Sequence, residues 1–142
     1  MKRYILWLRI TIVLQILTAA FHSIGLFAKP EGANDTENRM LDLMINYKMD
    51  MGVGISKSMF ELFTGLSGCF TFLFILGALQ NWYLLRKKAD AGLVKGMTGI
   101  SLIVYGVCFA WMVNFTFIIP ITCTGLVFLS LLIAYFSFPK QS

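Results

Sequence analysis

Two ionisable side chains, His22 and Glu61, interrupt long apolar stretches of the sequence. A histidine and a carboxylate within hydrogen-bonding reach can exchange a proton and act as general acid and base near neutral pH. The same pair can instead form a structural hydrogen bond, because burying either group alone is costly. The residue types leave both interpretations open.

Further polar residues occur at spacings that place them near this pair. Gln15, Thr18 and His22 recur at intervals typical of one helix face, and Asn114 ends the third apolar stretch. We therefore predict a polar cluster able to hold a lipid-like headgroup or a quinone; its members are His22, Glu61, Asn114, Gln15 and Thr18. No motif assigns a catalytic residue or a cofactor. A single histidine without a partner at ligand spacing also predicts no metal site.

The composition indicates that the elements carrying these residues are solvated by lipid. Of 142 residues, 58% are hydrophobic and 13% are charged, whereas soluble domains carry about 25% charged residues. The mean hydropathy is +0.76, which is too apolar for one soluble core of this length. The net charge of +5 does not indicate nucleic-acid binding, because the basic residues stand at the ends of apolar stretches.

Four stretches are long enough to cross a bilayer, which takes about 20 apolar residues in a helix. They cover approximately residues 4–28, 58–85, 93–115 and 118–138. Since backbone groups in lipid must be paired internally, these stretches predict helices. The short links at 86–92 and near Asn114 imply antiparallel neighbours. The expected fold is all-α: a single integral membrane domain, built as an up-down four-helix bundle.

The long link between the first two spans carries its own helical pattern. Met40, Leu41, Met44, Tyr47 and Met51 recur at helical spacing, opposite polar residues. This predicts an amphipathic helix over about residues 36–51 that ends at Gly52 and Gly54. We expect it to lie in the first extracytoplasmic loop, on the membrane surface or over the end of the bundle.

Charge counting predicts the orientation. The N-terminus, the 86–92 link and the C-terminus together carry mostly lysine and arginine, whereas the long link is rich in aspartate and glutamate. The positive-inside rule then places both termini in the cytoplasm of a multi-pass protein, as in a bacterial inner membrane. An alternative is that residues 1–20 form a cleaved signal peptide, although Arg9 and Gln15 interrupt its apolar region.

Small residues form stripes on two of the predicted spans. Such stripes let helix backbones approach closely in lipid, so we predict helix packing along them. On the third span they are Gly92, Gly96, Gly99, Gly106 and Ala110, and on the second Gly65 and Gly68.

The layout resembles that of small four-helix bacterial membrane proteins of the DoxX-like kind. The likeness lies in the length, the four spans and a first span that ends in the sequence of residues 20–25, Ala-Phe-His-Ser-Ile-Gly. The layout is also similar to sterol-isomerase-like membrane bundles with an intramembrane histidine and carboxylates, which only His22 and Glu61 match.

Two functions of different class remain. The sequence favours a non-enzymatic protein, either a binder of a lipophilic ligand or an accessory subunit of a membrane complex. The alternative is a membrane enzyme that acts on a lipid-like or quinone-like substrate through a His22/Glu61 acid–base pair. The expected partners are the bilayer, a lipid or quinone-like ligand, and other membrane subunits or further copies of the chain.

Overall fold

The computed structural model describes residues 2–28 and 30–139 of the chain. Within that part the regular elements are five helices and one short pair of strands. The elements in order are α1 (Arg3–Phe27), α2 (Asp35–Asn46), β1 (Lys48–Asp50), β2 (Ser56–Ser58), α3 (Met59–Arg86), α4 (Ala91–Phe115) and α5 (Ile118–Phe136). Four of these helices, α1, α3, α4 and α5, are long and apolar enough to cross a membrane.

The chain divides into two compact units, Met1–Ala19 with Leu73–Ser142, and Ala20–Phe72. In the first unit, parts of the four long helices contact one another in a closed series. Thr11 of α1 bonds Ser130 of α5, Gln15 of α1 bonds Asn81 of α3, and Tyr105 of α4 bonds the backbone of α3. The α4 and α5 helices make the closest approach and complete the series.

Where α4 packs on α5, glycines of each helix face aromatic rings of the other. A Cβ atom added at Gly106 would lie 3.0 Å from the Phe128 ring, and one at Gly99 would lie 3.2 Å from the Tyr135 ring. The arrangement is reversed at Gly125, where an added Cβ would lie 3.0 Å from the Phe109 ring. Each aromatic ring therefore occupies the space that the facing glycine leaves free, which explains how close these two helices come.

Backbone hydrogen bonds terminate α3 at its link to α4. Lys88 N–H donates to the Leu85 carbonyl (3.2 Å) and Ala89 N–H donates to the Leu84 carbonyl (3.1 Å), the pattern of a Schellman motif. Lys88 takes the left-handed conformation that this motif requires, with φ of 49°. Asp90 then caps α4 by accepting hydrogen bonds from the backbone of the first helical turn.

In the second unit, the helix predicted over 36–51 is shorter than expected. α2 begins after Asn34, which caps it by accepting a hydrogen bond from Glu37 N–H, and ends at Asn46. The next residues form β1, which pairs antiparallel with β2. The glycines expected to end the helix, Gly52 and Gly54, instead form the hairpin turn, and both have positive φ angles. The unit thus carries a helix and a hairpin between its two long helical segments.

Candidate functional site

A buried polar cluster lies at the centre of the first unit. Gln15 of α1 is completely buried, and its Oε1 accepts a hydrogen bond from Asn81 Nδ2 of α3 at 3.2 Å. The Tyr105 hydroxyl of α4 donates to the Leu73 carbonyl at 3.2 Å, and the Tyr105 ring meets Phe74 edge-on with centroids 5.1 Å apart. Three helices therefore bring their polar side chains to one interior region.

Gly77 of α3 lies directly against this cluster. A side chain there would collide with the Tyr105 hydroxyl and with the amide nitrogen of Gln15. Within the described residues, Gln15 Nε2 is buried without a hydrogen-bond partner.

A second polar contact joins α1 to α5. The hydroxyls of Thr11 and Ser130 are 2.9 Å apart and both are buried, while each also bonds a backbone carbonyl of its own helix. Hydroxyls that satisfy each other in this way suit a helix interface in a bundle. Together with the Gln15 cluster, this contact shows that the inward face of α1 is polar. None of these side chains is ionised at neutral pH, so they supply hydrogen bonds and no acid–base pair.

Glu61 belongs to a different network, in the second unit. Its carboxylate accepts hydrogen bonds from Lys48 Nζ at 2.6 Å, from Lys57 Nζ at 3.4 Å and from the Ser58 backbone N–H at 2.8 Å. Ser58 Oγ in return accepts a hydrogen bond from Glu61 N–H, as in a helix cap. The first turn of α3 is thus fastened to both hairpin strands through one carboxylate.

His22 does not complete the pair with Glu61 that the sequence suggested. Its ring lies 4.8 Å from the Phe70 ring, centroid to centroid, and its Nε2 is buried without a hydrogen-bond partner among the described residues. The Thr71 hydroxyl of the same unit is also buried and unpartnered within the described chain. The lysines of the hairpin explain the difference, because they neutralise Glu61 more effectively than a single histidine would.

The other residues predicted for the cluster are divided between different environments. Thr18 is buried in the first unit near the inward face of α1. Asn114 is exposed, and its side chain bonds the Ala110 carbonyl of its own helix. It therefore does not extend the polar cluster.

Only some of the glycines in the predicted stripes pack against a neighbouring helix. Gly99 and Gly106 face aromatic rings of α5, whereas an added Cβ at Gly65, Gly68 or Gly96 would meet no atom within 4 Å. At those three positions the structure differs from the packing expected from the stripe. Gly92 is half-buried, whereas Ala110 is exposed.

Asn81 and Tyr105 belong to the buried cluster but are not among the residues predicted for it. The buried stripe of α3 consists of Thr71, Phe74, Ala78 and Asn81. Their spacing of three and four residues is visible in the sequence. Asn81 was the available signal, because it is a strongly polar residue inside an apolar helix.

No family model, curated protein or solved structure matches this sequence. The resemblance to DoxX-like and sterol-isomerase-like bundles therefore stays a prediction from layout.

Proposed function

We propose that this chain is a multi-pass membrane protein without catalysis of its own, and that it is an accessory subunit of a larger membrane complex. In this proposal α1, α3, α4 and α5 cross the bilayer as an up-down four-helix bundle, with both termini in the cytoplasm. The support is their length and apolar composition and the many large apolar side chains that they leave exposed, which lipid would cover.

The observation that carries the subunit role is the uncovered apolar face of α2. None of the residues of α2 is buried. Met40, Leu43 and the following Tyr47 are 54%, 64% and 65% exposed, although they share one side of the helix. An amphipathic helix that presents its apolar side to a groove is a common mode of protein recognition, and methionine adapts well to such surfaces.

The charges around this face favour a protein partner over a lipid surface. In the segment that carries α2, five acidic residues are exposed, with Arg39 of α2 as an exposed cation among them: Glu31, Asp35, Glu37, Asp42 and Asp50. Two of the nearby lysines, Lys48 and Lys57, are already paired with Glu61. The surface is therefore acidic with an apolar centre. It complements an apolar groove that is bordered by basic residues, on the extracytoplasmic side of a partner. Anionic headgroups would repel it.

The state of Glu61 argues against the enzymatic alternative. A general acid or base must be free to exchange its proton with a substrate, and this carboxylate is held by two lysines and a backbone N–H. His22 has no carboxylate partner at its buried Nε2 among the described residues. The pair that the enzyme would need is therefore absent from this part of the chain.

A second candidate, binding of a lipophilic ligand, is favoured by one specific observation. His22 Nε2 and Thr71 Oγ1 are buried in the same unit and have no partner within the described residues. A quinone-like or lipid-like ligand with a carbonyl or hydroxyl group would satisfy such atoms.

Photocrosslinking tests the subunit role. A photoreactive amino acid replaces Met40 in the full-length chain in its native membrane, and the matched control replaces Asp42, which lies on the polar side of α2. We expect a crosslinked product well above 16.0 kDa from the Met40 position only. The product should disappear when Leu43→Asp is added, while the unfolding temperature in detergent stays unchanged.

Two outcomes overturn the subunit role. One is equal crosslinking from both positions, and the other is a product whose mass equals two copies of this chain. A native mass spectrum of the same purified sample tests the second candidate: a small molecule should be retained by the wild type and lost from His22→Ala.

A further inference from the structure

One end of the first unit gathers half of the lysine and arginine residues of the chain. Tyr4 stacks on Phe138 with ring centroids 4.1 Å apart, which brings the start of α1 to the end of α5. The Lys95 ammonium lies 5.6 Å from the centre of the Tyr135 ring, which ties the start of α4 to α5. We name the cationic side chains at this end the basic rim: Lys2, Arg3, Arg86, Lys87, Lys88 and Lys95.

The basic rim has almost no acidic counterpart. Six of the seven acidic residues of the sequence lie between Glu31 and Glu61, and the seventh is Asp90. The Asp90 carboxylate is used at the start of α4, where it accepts hydrogen bonds from Gly92 N–H and Leu93 N–H. The rim therefore carries a strong positive charge that the described chain does not neutralise.

Aromatic rings hold three of these cations in place. The Arg86 guanidinium lies 5.0 Å from the centre of the Trp82 ring, the Lys87 ammonium lies 5.9 Å from Tyr83, and Lys95 lies over Tyr135 as described. Trp82 and Tyr83 are about half exposed. A cation on a ring face keeps its N–H groups available to an anion, and tryptophan and tyrosine favour the headgroup level of a bilayer.

Lys88 provides an independent observation. Its φ of 49° lies in the left-handed region, and it occupies the position of a Schellman motif where glycine is the usual residue. Glycine would adopt this conformation without strain. The motif itself therefore does not require a lysine at this position. A lysine at this position adds a third consecutive cation to Arg86 and Lys87, which points to a use for the charge.

We propose that the basic rim binds the phosphate of an anionic phospholipid headgroup. Arg86 donates its planar N–H groups to the phosphate oxygens, Lys87 and Lys88 contribute charge beside it, and Trp82 and Tyr83 contact the glycerol and upper acyl region of the same lipid. This inference rests on the membrane insertion proposed above. It gives one end of the bundle a preference for anionic lipid. That end is basic, whereas the surface around α2 is acidic.

Quenching of Trp82 fluorescence tests the inference. The reporter is the full chain with Trp7→Phe and Trp111→Phe, in phosphatidylcholine bilayers that contain a small fraction of brominated lipid. We expect brominated phosphatidylglycerol to quench Trp82 at a several-fold lower mole fraction than brominated phosphatidylcholine. The Lys87→Ala/Lys88→Ala variant should abolish this preference, because each lysine removed weakens the attraction of an anionic headgroup by about fivefold. The control variant Arg39→Ala/Lys57→Ala, which removes two cations outside the rim, should retain it.

A glycine substitution separates charge from folding. Lys88→Gly should raise the unfolding temperature and still lose part of the lipid preference. Val53→Gly relieves the same left-handed strain in the hairpin, where φ is 49°, and should raise stability with the lipid preference unchanged. Equal lipid preference in wild type and Lys88→Gly would contradict the role of Lys88.

The remaining outcomes are distinguishable from a failure of membrane insertion. Quenching by neither lipid would overturn the insertion itself. Equal quenching by both lipids would overturn the lipid preference and leave insertion standing. If inorganic phosphate abolishes the preference while chloride at equal ionic strength does not, the rim binds free phosphate, and the assignment to a lipid headgroup is wrong.

Discussion

Gly77 shows how one missing side chain decides the interior of the first unit. The Tyr105 hydroxyl and the Gln15 amide converge on the space beside its Cα, and Asn81 fixes the other end of that amide. Glycine is normally unfavourable inside a helix by about 1 kcal/mol relative to alanine. At this position that cost is offset, because any larger residue would displace a buried polar group from its place.

We therefore predict that Gly77→Ala destabilises the protein. The added methyl group would overpack the cluster, and the free energy of unfolding should fall by about 1–3 kcal/mol. Thermal unfolding in a mild detergent measures the change. Gly68→Ala on the same helix is the matched control, because an added Cβ at Gly68 meets nothing within 4 Å. Its stability should stay equal or rise slightly. A Gly77→Ala protein as stable as this control would show that the cluster tolerates the methyl group.

At the scale of elements, the long helices were the predictable part. The expected spans at 58–85 and 93–115 differ little from α3 and α4 as observed, Met59–Arg86 and Ala91–Phe115. Each is a continuous apolar run bounded by charged or turn residues, so hydrophobicity alone locates it. The bounds of α1 and α5 agree equally well with the predicted 4–28 and 118–138, for the same reason.

The loop was harder to predict because two periodicities overlap in it. Met40, Met44 and Tyr47 follow a helical repeat, but Tyr47, Met49 and Met51 also alternate with Lys48 and Asp50. Alternation with a period of two is typical of a strand, and β1 forms from these residues. Glycines at positions 52 and 54 fit a hairpin turn as well as a helix end, so composition could not separate the two.

The site was less predictable than the helices, since it depends on the rotation of each helix. The spacing of Glu61, Gly65 and Gly68 in the sequence predicts that these residues mark the inward face of α3. The buried stripe through Phe74 and Asn81 lies on the opposite face of the helix from Glu61. Apolar residues surround this helix, so hydrophobicity does not distinguish a lipid-facing side from a buried one. Only the rare polar residues carry that information.

Close packing of α4 on α5 gives a prediction at the element scale. Gly106→Leu should destabilise the chain by about 1–3 kcal/mol, because the new side chain must enter the space that the Phe128 ring occupies. Gly96→Leu on the same helix should change stability by less than about 0.5 kcal/mol, because Gly96 is exposed and faces open space. Urea or thermal unfolding in detergent compares the two. Equal losses would mean that the loss comes from leucine itself and not from the α4–α5 contact.

For the whole molecule, charge divides the sequence into two parts. Acidic residues concentrate between Glu31 and Glu61, whereas the basic rim lies before and after that segment in the chain. Such a separation is what the positive-inside rule requires of a protein with an even number of spans. In the proposed orientation the cations of the basic rim face the anionic headgroups of the cytoplasmic leaflet.

The proposed orientation makes a strict prediction about chemical labelling. In a background where Cys69, Cys108 and Cys123 are replaced by alanine, a single cysteine is introduced at Val53 or at Lys87. Val53 is 97% exposed at the hairpin turn, and Lys87 is exposed after the last turn of α3. A membrane-impermeant thiol reagent should label the Val53→Cys protein in intact cells. It should label the Lys87→Cys protein only after the membrane is opened.

Permeabilised cells provide the control for thiol reactivity, because both cysteines should then react to a similar extent. Labelling of Lys87→Cys from outside intact cells would reverse the orientation and move the acidic surface of α2 to the cytoplasm. Labelling of both positions in intact cells would contradict the four-span arrangement, because Val53 and Lys87 flank α3 and a helix that crosses the bilayer must separate them.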